Sequence, residues 1–369
     1  MKLIKQLSIV GMLLLLTCIA QAQNFTIQGT IEHPQPTKAV LLKVFDAQTM
    51  QYKWQQNIDV AKNGSFQVTL PFTEMNLYQL NVYGKKGRIA VEQPEKIQVA
   101  VKGKEKLQMK ITGSTGNQNM RAFHKYLNQL QGKHFGGLKE RAMKAVKENN
   151  TKEMAALEVI KNEKMKGFEA DLKQFIEGLG VSAAAYYAIG FMDLNIHLDF
   201  FKKVGERFKQ KYPKHNLTRA LWKDIKGAER TAIGAVAPNF TLIDVNGQKQ
   251  SLTAYRGKYV VVEFWASWCL GCRIEYPKLK KIYATYKSQG LEILGVSDDR
   301  QTKQWKAAVT RDQLPWPNLW IGQNKVRKDY NISNLPFNLL LDKQGRIIAK
   351  KLTPEQLEVK LKELMKNGR

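Results

Sequence analysis

Two cysteines three positions apart, Cys269 and Cys272, are the residues in this chain best suited to chemistry. The chain of 369 residues holds one other cysteine, Cys18. A disulfide across so short a span closes almost no loop and contributes little through chain entropy. Structural disulfides of secreted proteins are usually more numerous and span longer loops. Redox chemistry accounts for the pair better. A thiolate attacks a disulfide sulfur, and a neighbouring thiol then resolves the mixed disulfide. A zinc ribbon would require a second cysteine pair, which the sequence lacks.

The elements on either side would position these sulfurs. Residues 259–265 form an apolar run broken only by Glu263, and residues 273–289 carry a helical pattern. Where a buried strand meets a helix, Cys269 would face unpaired N–H groups and the positive end of the helix dipole. Both favour thiolate over thiol. Cys272 would lie one helical turn further on, close enough to bridge. A C-x-x-C between strand and helix is far more specific than the bare motif.

The length predicts two or three domains. Residues 23–112 read as β-structure of about seven strands, a small antiparallel sandwich or barrel. Asn63-Gly64 is expected to turn a hairpin ahead of Phe66, Val68 and Leu70. Trp54, Tyr78 and Tyr83 read as core aromatics rather than a ligand platform. Residues 113–232 switch to helical spacing over 120–130, 138–148, 152–179, 183–194 and 197–212, with Pro213 as a stop. His124, His134, His197 and His215 are scattered without metal-ligand spacing and read as surface or hydrogen-bonded residues. From about residue 234, strands at 239–244, 250–252, 259–265, 291–297, 318–321, 337–341 and 346–350 alternate with helices at 273–289, 302–309 and 354–366. This pattern predicts a mixed sheet covered on both faces.

The N-terminus reads as an export signal. Lys2 and Lys5 precede an apolar core at 9–16, and Ala20 and Ala22 mark a cleavage site after residue 22. A retained anchor is the alternative, but the core is short for a span. Lipidation at Cys18 is another, against which Thr17 is a poor preceding residue. The formal charge of +27 could attract nucleic acid, anionic lipid or acidic partners. The lysines are spread along the chain, as across 139–173, and no recognition-helix or zinc-finger spacing accompanies them. Export also argues against nucleic acid, and the charge reads as a solvated basic surface.

The run Val262-Glu263-Phe264-Trp265-Ala266-Ser267-Trp268-Cys269, with Ala237-Pro238-Asn239-Phe240, Pro277 and Asn334-Leu335-Pro336-Phe337, carries a family resemblance. The last third of the chain resembles thioredoxin-like proteins, especially the extracytoplasmic TlpA/ResA-type thiol-disulfide oxidoreductases. The resemblance implies a cis Pro336 against the sulfurs and a Leu335 backbone that pairs with an extended substrate. Glu263 stands where thioredoxins carry a buried acid that moves protons to and from the second cysteine. Glu275 stands where ResA-type reductases carry an active-site glutamate. A buried carboxyl near a thiol has a raised pKa and can act as general acid or base. A surface role for Glu275 and a structural one for Glu263 are the plainer readings, and having both departs from either pattern. Trp268 would flank the sulfurs as an apolar docking surface, or simply pack. The Leu270-Gly271 pair lacks the common proline, so the redox potential stays open.

These readings together predict an α/β thioredoxin fold at residues 233–369. It would follow a signal peptide at 1–22, a β-domain at 23–112 and a helical region at 113–232. The expected activity is an extracytoplasmic disulfide reductase acting on exported proteins, with electrons from a membrane thiol donor and no cofactor or metal. The β-domain could bind a client or envelope material, or only position the redox head. A binding or assembly protein on a thioredoxin scaffold, or a thiol peroxidase, are the alternatives.

Overall fold

The computed structural model describes residues 23–366 apart from 36–38, 47–48, 50 and 149. The export-signal reading of residues 1–22, with Cys18, lies outside the described residues.

Eight strands open the fold: β1 (Asn24–Ile31), β2 (Val40–Asp46), β3 (Gln51–Ile58), β4 (Ser65–Pro71), β5 (Asn76–Val82), β6 (Lys85–Val91), β7 (Lys96–Lys102) and β8 (Gln108–Thr112). They form two four-stranded sheets, ordered β4-β1-β7-β8 and β3-β2-β5-β6. Alternation along the strands turns Phe25, Ile27, Leu42, Leu80, Ile89 and Ile97 into one shared core. Three expectations need correction. The sheets are not wholly antiparallel, because β1 and β7 pair in parallel. The turn at Asn63-Gly64 closes no hairpin: β3 pairs with β2 and β4 with β1, so the chain crosses between sheets there. Gly64 has φ 82°, and its C=O accepts from the Ile31 N–H at 2.9 Å, so the turn is tied to the first sheet. Trp54 is not core. It sits on the edge strand β3, whose residues face solvent except for buried Ile58 and half-buried Tyr52 and Gln56.

Six helices follow: α1 (Thr115–Phe135), α2 (Leu138–Lys147), α3 (Thr151–Gly178), α4 (Ala183–Ile189), α5 (Leu198–Lys211) and α6 (Asn216–Glu229). Ser114 and Ser182 cap α1 and α4 by accepting N–H bonds from Asn117 and Ala185. The helix expected over 183–194 ends at Ile189, and α6 lies beyond the pattern read from sequence. Phe123, Leu130, Ile176, Phe208 and Ile225 bury a second core, joined by Leu77 and Ala90 from the outer face of β5 and β6. The histidines serve this packing. His134 lies 2.9 Å from Asp171 and His197 3.0 Å from Glu169, His215 caps α6 through Leu217, and His124 packs at tilted and edge-on angles among Phe123, Tyr187 and Phe191.

The last part is a seven-stranded mixed sheet. Its strands are β9 (Thr241–Asp244), β10 (Lys249–Ser251), β11 (Tyr259–Trp265), β12 (Leu291–Ser297), β13 (Asn318–Trp320), β14 (Phe337–Leu341) and β15 (Ile347–Lys350). The spatial order is β10-β9-β13-β12-β11-β14-β15. Four helices cover it: α7 (Leu270–Tyr286), α8 (Thr302–Arg311), α9 (Val326–Asp329) and α10 (Pro354–Lys366). Central β11 runs parallel to β12 and antiparallel to β14, and both its faces are buried, so its apolar run is nearly continuous. Val261 and Trp265 face one core, while Val260, Val262 and Phe264 face the other.

The helical part is clasped to this sheet. Asn195 Nδ2 donates to the Asn331 C=O at 2.6 Å, and Lys351 lies 3.3 Å from Asp193. Helix α3 also touches α7. Among the described residues, no helix is long and apolar enough to cross a membrane.

Candidate active site

Strand β11 ends at Trp265, and α7 begins at Leu270, three residues earlier than its sequence pattern indicates. Cys269 is therefore the residue that caps α7. Its Sγ accepts the Cys272 N–H at 3.2 Å, and its own N–H donates to the Ala266 C=O at 3.0 Å. The two cysteines form a disulfide with Cα atoms 5.4 Å apart. Cys269 is 5% exposed and Cys272 is buried, so the sulfur at the cap is the one nearer solvent. Pro277 lies inside α7, where its missing N–H leaves one rung of the helix unmade.

The Leu335–Pro336 peptide bond is cis and leads into β14. Gly271, between the cysteines, lies against it: a Cβ there would come within 3.2 Å of Pro336 Cδ. Its small size sets the approach of the proline loop, a role that the absence of proline at this position does not reveal in the sequence. The Leu335 N–H and C=O make no hydrogen bond among the described residues. Trp268 stands 66% exposed beside Cys269 and is a surface residue rather than a packed one.

Glu263 is fully buried on β11. It shares the strand face of Val261 and Trp265, which looks toward α7 and Cys272. Opposite it on β14, Asn338 spends its amide on the Leu352 backbone, with bonds of 2.9 Å each way. Neither Glu263 carboxyl oxygen makes a hydrogen bond of good geometry, although the Asn338 amide is near enough to favour its charged form. Burial, and then the charge of Glu275, push its proton affinity well above the usual carboxylate range, with Asn338 opposing. Glu263 is not alone. The buried Trp265 Nε1, Trp316 Nε1, Tyr276 OH and Asn318 Oδ1 also lack partners. Three of them converge on Gly295, the β12 neighbour of Glu263: a Cβ there would collide with Asn318 Oδ1 and lie 3.0 Å from Trp316 Nε1 and 3.1 Å from Trp265 Nε1. Unpaired buried polar groups are rare and collect where function or strain requires them.

Glu275 is half-buried on another side of α7. It lines a cavity of about 310 Å³ between α3, α7 and the start of α10, together with Glu158, Lys278 and Glu355. Burial, then the charges of Glu158 and Glu355, raise its pKa to about 7, against Lys161 and Lys278. Its charge is felt at Glu263, so the two carboxyls are electrostatically linked.

Asp299, just beyond β12, was not singled out from sequence. It is buried and accepts the Ser267 N–H at 3.0 Å, the Ser267 hydroxyl at 2.6 Å and the Ser297 hydroxyl at 2.8 Å. These bonds pin the turn that delivers Cys269. Its one sequence signal is an acid at the carboxyl end of a buried central strand, where ligand-facing residues of α/β sheets gather. The helical region had no chemistry assigned to it, yet α2 and α3 face the disulfide end of α7.

Residues 233–350 match the AhpC/TSA family. A thiol-disulfide oxidoreductase ResA from Geobacillus kaustophilus is 37% identical over 130 residues, which is 34% of this chain and 75% of that protein. The protein of the same name from Bacillus thuringiensis is 34% identical over 139 residues, 37% of this chain and 80% of its own. Among solved structures, the thioredoxin domain of a thiol-disulfide oxidoreductase from Bacteroides vulgatus is 37% identical, covering 36% of this chain and 98% of its own, with a TM-score of 0.35.

Proposed function

The chain belongs to the TlpA/ResA-like thiol-disulfide oxidoreductases of the thioredoxin superfamily, and from that premise we propose that it reduces disulfides of exported proteins through Cys269 and Cys272. The observation that carries this reading is the Cys269 sulfur at the cap of α7, accepting an N–H at 3.2 Å. That position favours the thiolate once the pair is reduced.

In the reduced enzyme, the Cys269 thiolate attacks one sulfur of the client disulfide. The client S–S bond breaks, and its other sulfur leaves as a thiolate that takes up a proton. Cys272 then loses its proton and attacks the Cys269 sulfur, forming the enzyme disulfide and releasing the second client thiolate. Two electrons pass from enzyme to client. Glu275, with a pKa near 7, can take or give a proton at neutral pH. Burial and the charge of Glu275 raise the proton affinity of Glu263, so of the two carboxyls it is the one that lies on the buried face toward Cys272. The free backbone edge of Leu335 beside cis Pro336 suits pairing with an extended client strand, and exposed Trp268 gives that strand an apolar contact.

The leader-like pattern of residues 1–22 supports work outside the cytoplasm, at the cell envelope, with a membrane thiol donor returning electrons. Residues 23–112, 113–232 and 233–369 act as a β-domain, a helical region and the thioredoxin-like domain. Insulin reduction by wild type and Cys269→Ser tests the activity: equal rates remove it. The direction of flux is tested by the reduction potential of the pair. A value near about −270 mV marks a reductase and one near about −120 mV an oxidase. The AhpC/TSA match favours a thiol peroxidase as the rival reading, and peroxide consumption by the reduced protein would establish it.

A further inference from the structure

A groove of about 430 Å³ runs between the helical region and the disulfide end of α7. One wall is a single face of α2, since Leu138, Ala142 and Val146 recur at every fourth position. Leu157 of α3 lies beneath. The opposite wall is Leu270 and Ile274 of α7 with Leu335 and Pro336 of the cis-proline loop. Two of these apolar side chains stand open, Val146 at 49% and Leu270 at 42% exposure, and the exposed Met143 and Trp268 lie on the same two elements or next to them in sequence. Large apolar side chains gathered at one place on a strongly charged protein mark a binding surface rather than scattered exposure.

We propose that this groove is the client-binding channel, taking an extended segment of a disulfide-bearing protein that carries apolar side chains next to its cysteine. The proposal rests on the redox reading above and adds a wall from outside the thioredoxin-like domain. Three features select this occupant. The groove reaches the Leu335 backbone, whose N–H and C=O make no hydrogen bond among the described residues, so a strand can pair there. It also reaches Gly271, between the cysteines, so a paired strand presents its own cysteine to Cys269. Its lining is apolar apart from Lys139 and the Glu158–Lys161 pair at 2.8 Å, and Lys139 has no ion-pair partner among the described residues, so a client carboxylate fits at that rim. The volume lies within the about 300–1,000 Å³ of typical ligand sites and suits a few side chains rather than a folded domain.

The probe is a ten-residue synthetic peptide with one cysteine flanked by leucines, its sulfur joined to thionitrobenzoate. The Cys269 thiolate attacks the peptide sulfur, the bond to thionitrobenzoate breaks, and the coloured thiolate leaves with the electron pair. Cys272 then releases the peptide thiol. Dithiobis(nitrobenzoate), too small to span the groove, is the reference substrate. The readout is the ratio of the two rate constants. Val146→Asp should lower that ratio about tenfold, the equivalent of about 1.4 kcal/mol. Val359→Asp, on exposed α10 away from the groove, should keep the wild-type ratio. If Val146→Asp keeps the wild-type ratio while Cys269→Ser is silent on both substrates, the groove is not the channel and the redox reading stands. If Cys269→Ser still reacts with both, the redox reading itself fails. If Val146→Asp instead splits a dimer in sedimentation with the ratio unchanged, a second copy fills the groove and the proposal is overturned.

Discussion

Replacing Glu275 by glutamine should remove a pH-dependent weakness from the protein. The carboxyl titrates at about 7 in the fold against the ordinary value of 4.5, with burial the leading cause and the charges of Glu158 and Glu355 next. A folded pKa above the unfolded one means that the native state binds more protons across this window. Stability therefore falls as pH rises from about 4.5 to about 7 and is flat above. At about 1.4 kcal/mol per tenfold change in proton affinity, the rise corresponds to an upper bound of about 3 kcal/mol. Solvent access at this half-buried site brings the expected effect nearer about 1–2 kcal/mol. Glu275→Gln should accordingly match wild type near pH 4.5 and exceed it by that amount at pH 8. Urea unfolding of both oxidised proteins at the two pH values measures the difference. Tryptophan fluorescence suits it, because five of the seven tryptophans lie between residues 265 and 320. Glu158→Gln, which removes a charge that raises the Glu275 pKa, should move the midpoint of the wild-type loss to lower pH. Parallel pH dependence in wild type and Glu275→Gln would refute the raised pKa and the proton-carrying role built on it.

Other substitutions separate stability from chemistry. Glu263→Leu should raise stability by about 1–3 kcal/mol in denaturant unfolding, because a buried carboxyl without a hydrogen bond of good geometry is replaced by an apolar group, and it should slow disulfide exchange; a destabilised variant of undiminished rate would contradict this. Asp299→Ala strips the Ser267 and Ser297 bonds and should cost about 2–3 kcal/mol in the same measurement. Gly271→Ala places a methyl group 3.2 Å from Pro336 and should cut the peptide exchange rate several-fold with melting temperature nearly unchanged. Trp268→Ala, at an exposed position, should change stability by less than about 0.5 kcal/mol and raise KM for an apolar peptide.

Elements whose signal is local could be read from the residues in advance. The run Tyr259–Trp265, buried from Val260 onward, and the Asn246-Gly247 hairpin between β9 and β10 need nothing beyond their own residues to be recognised. The edge strand Gln51–Ile58 could not be read, because a strand mostly open to solvent carries no apolar alternation. Asn63-Gly64 misled for a related reason: the dipeptide specifies a turn, while the strands it joins choose their partners through distant contacts. The parallel pairing of β1 with β7 joins residues about seventy positions apart and leaves no mark in either strand. At the site, the cysteines and the proline loop were legible as motifs. The pinning by Asp299, the orphaned polar atoms around Gly295 and the wall from α2 are products of tertiary proximity, and no spacing rule reaches them.

The clasp of Asn195 on the Asn331 carbonyl has a mechanical consequence. Asn331 lies four residues before Leu335, so the loop proposed to meet a client is held at its other end by the segment that joins α4 to α5. A redox head on a slack tether would sweep a volume and collide with targets from any side. Here the head is braced, and the residues between its cysteines border one corridor. Encounter is then governed by how a target threads that corridor, which bars bulky folded surfaces and admits slender, unwound chain.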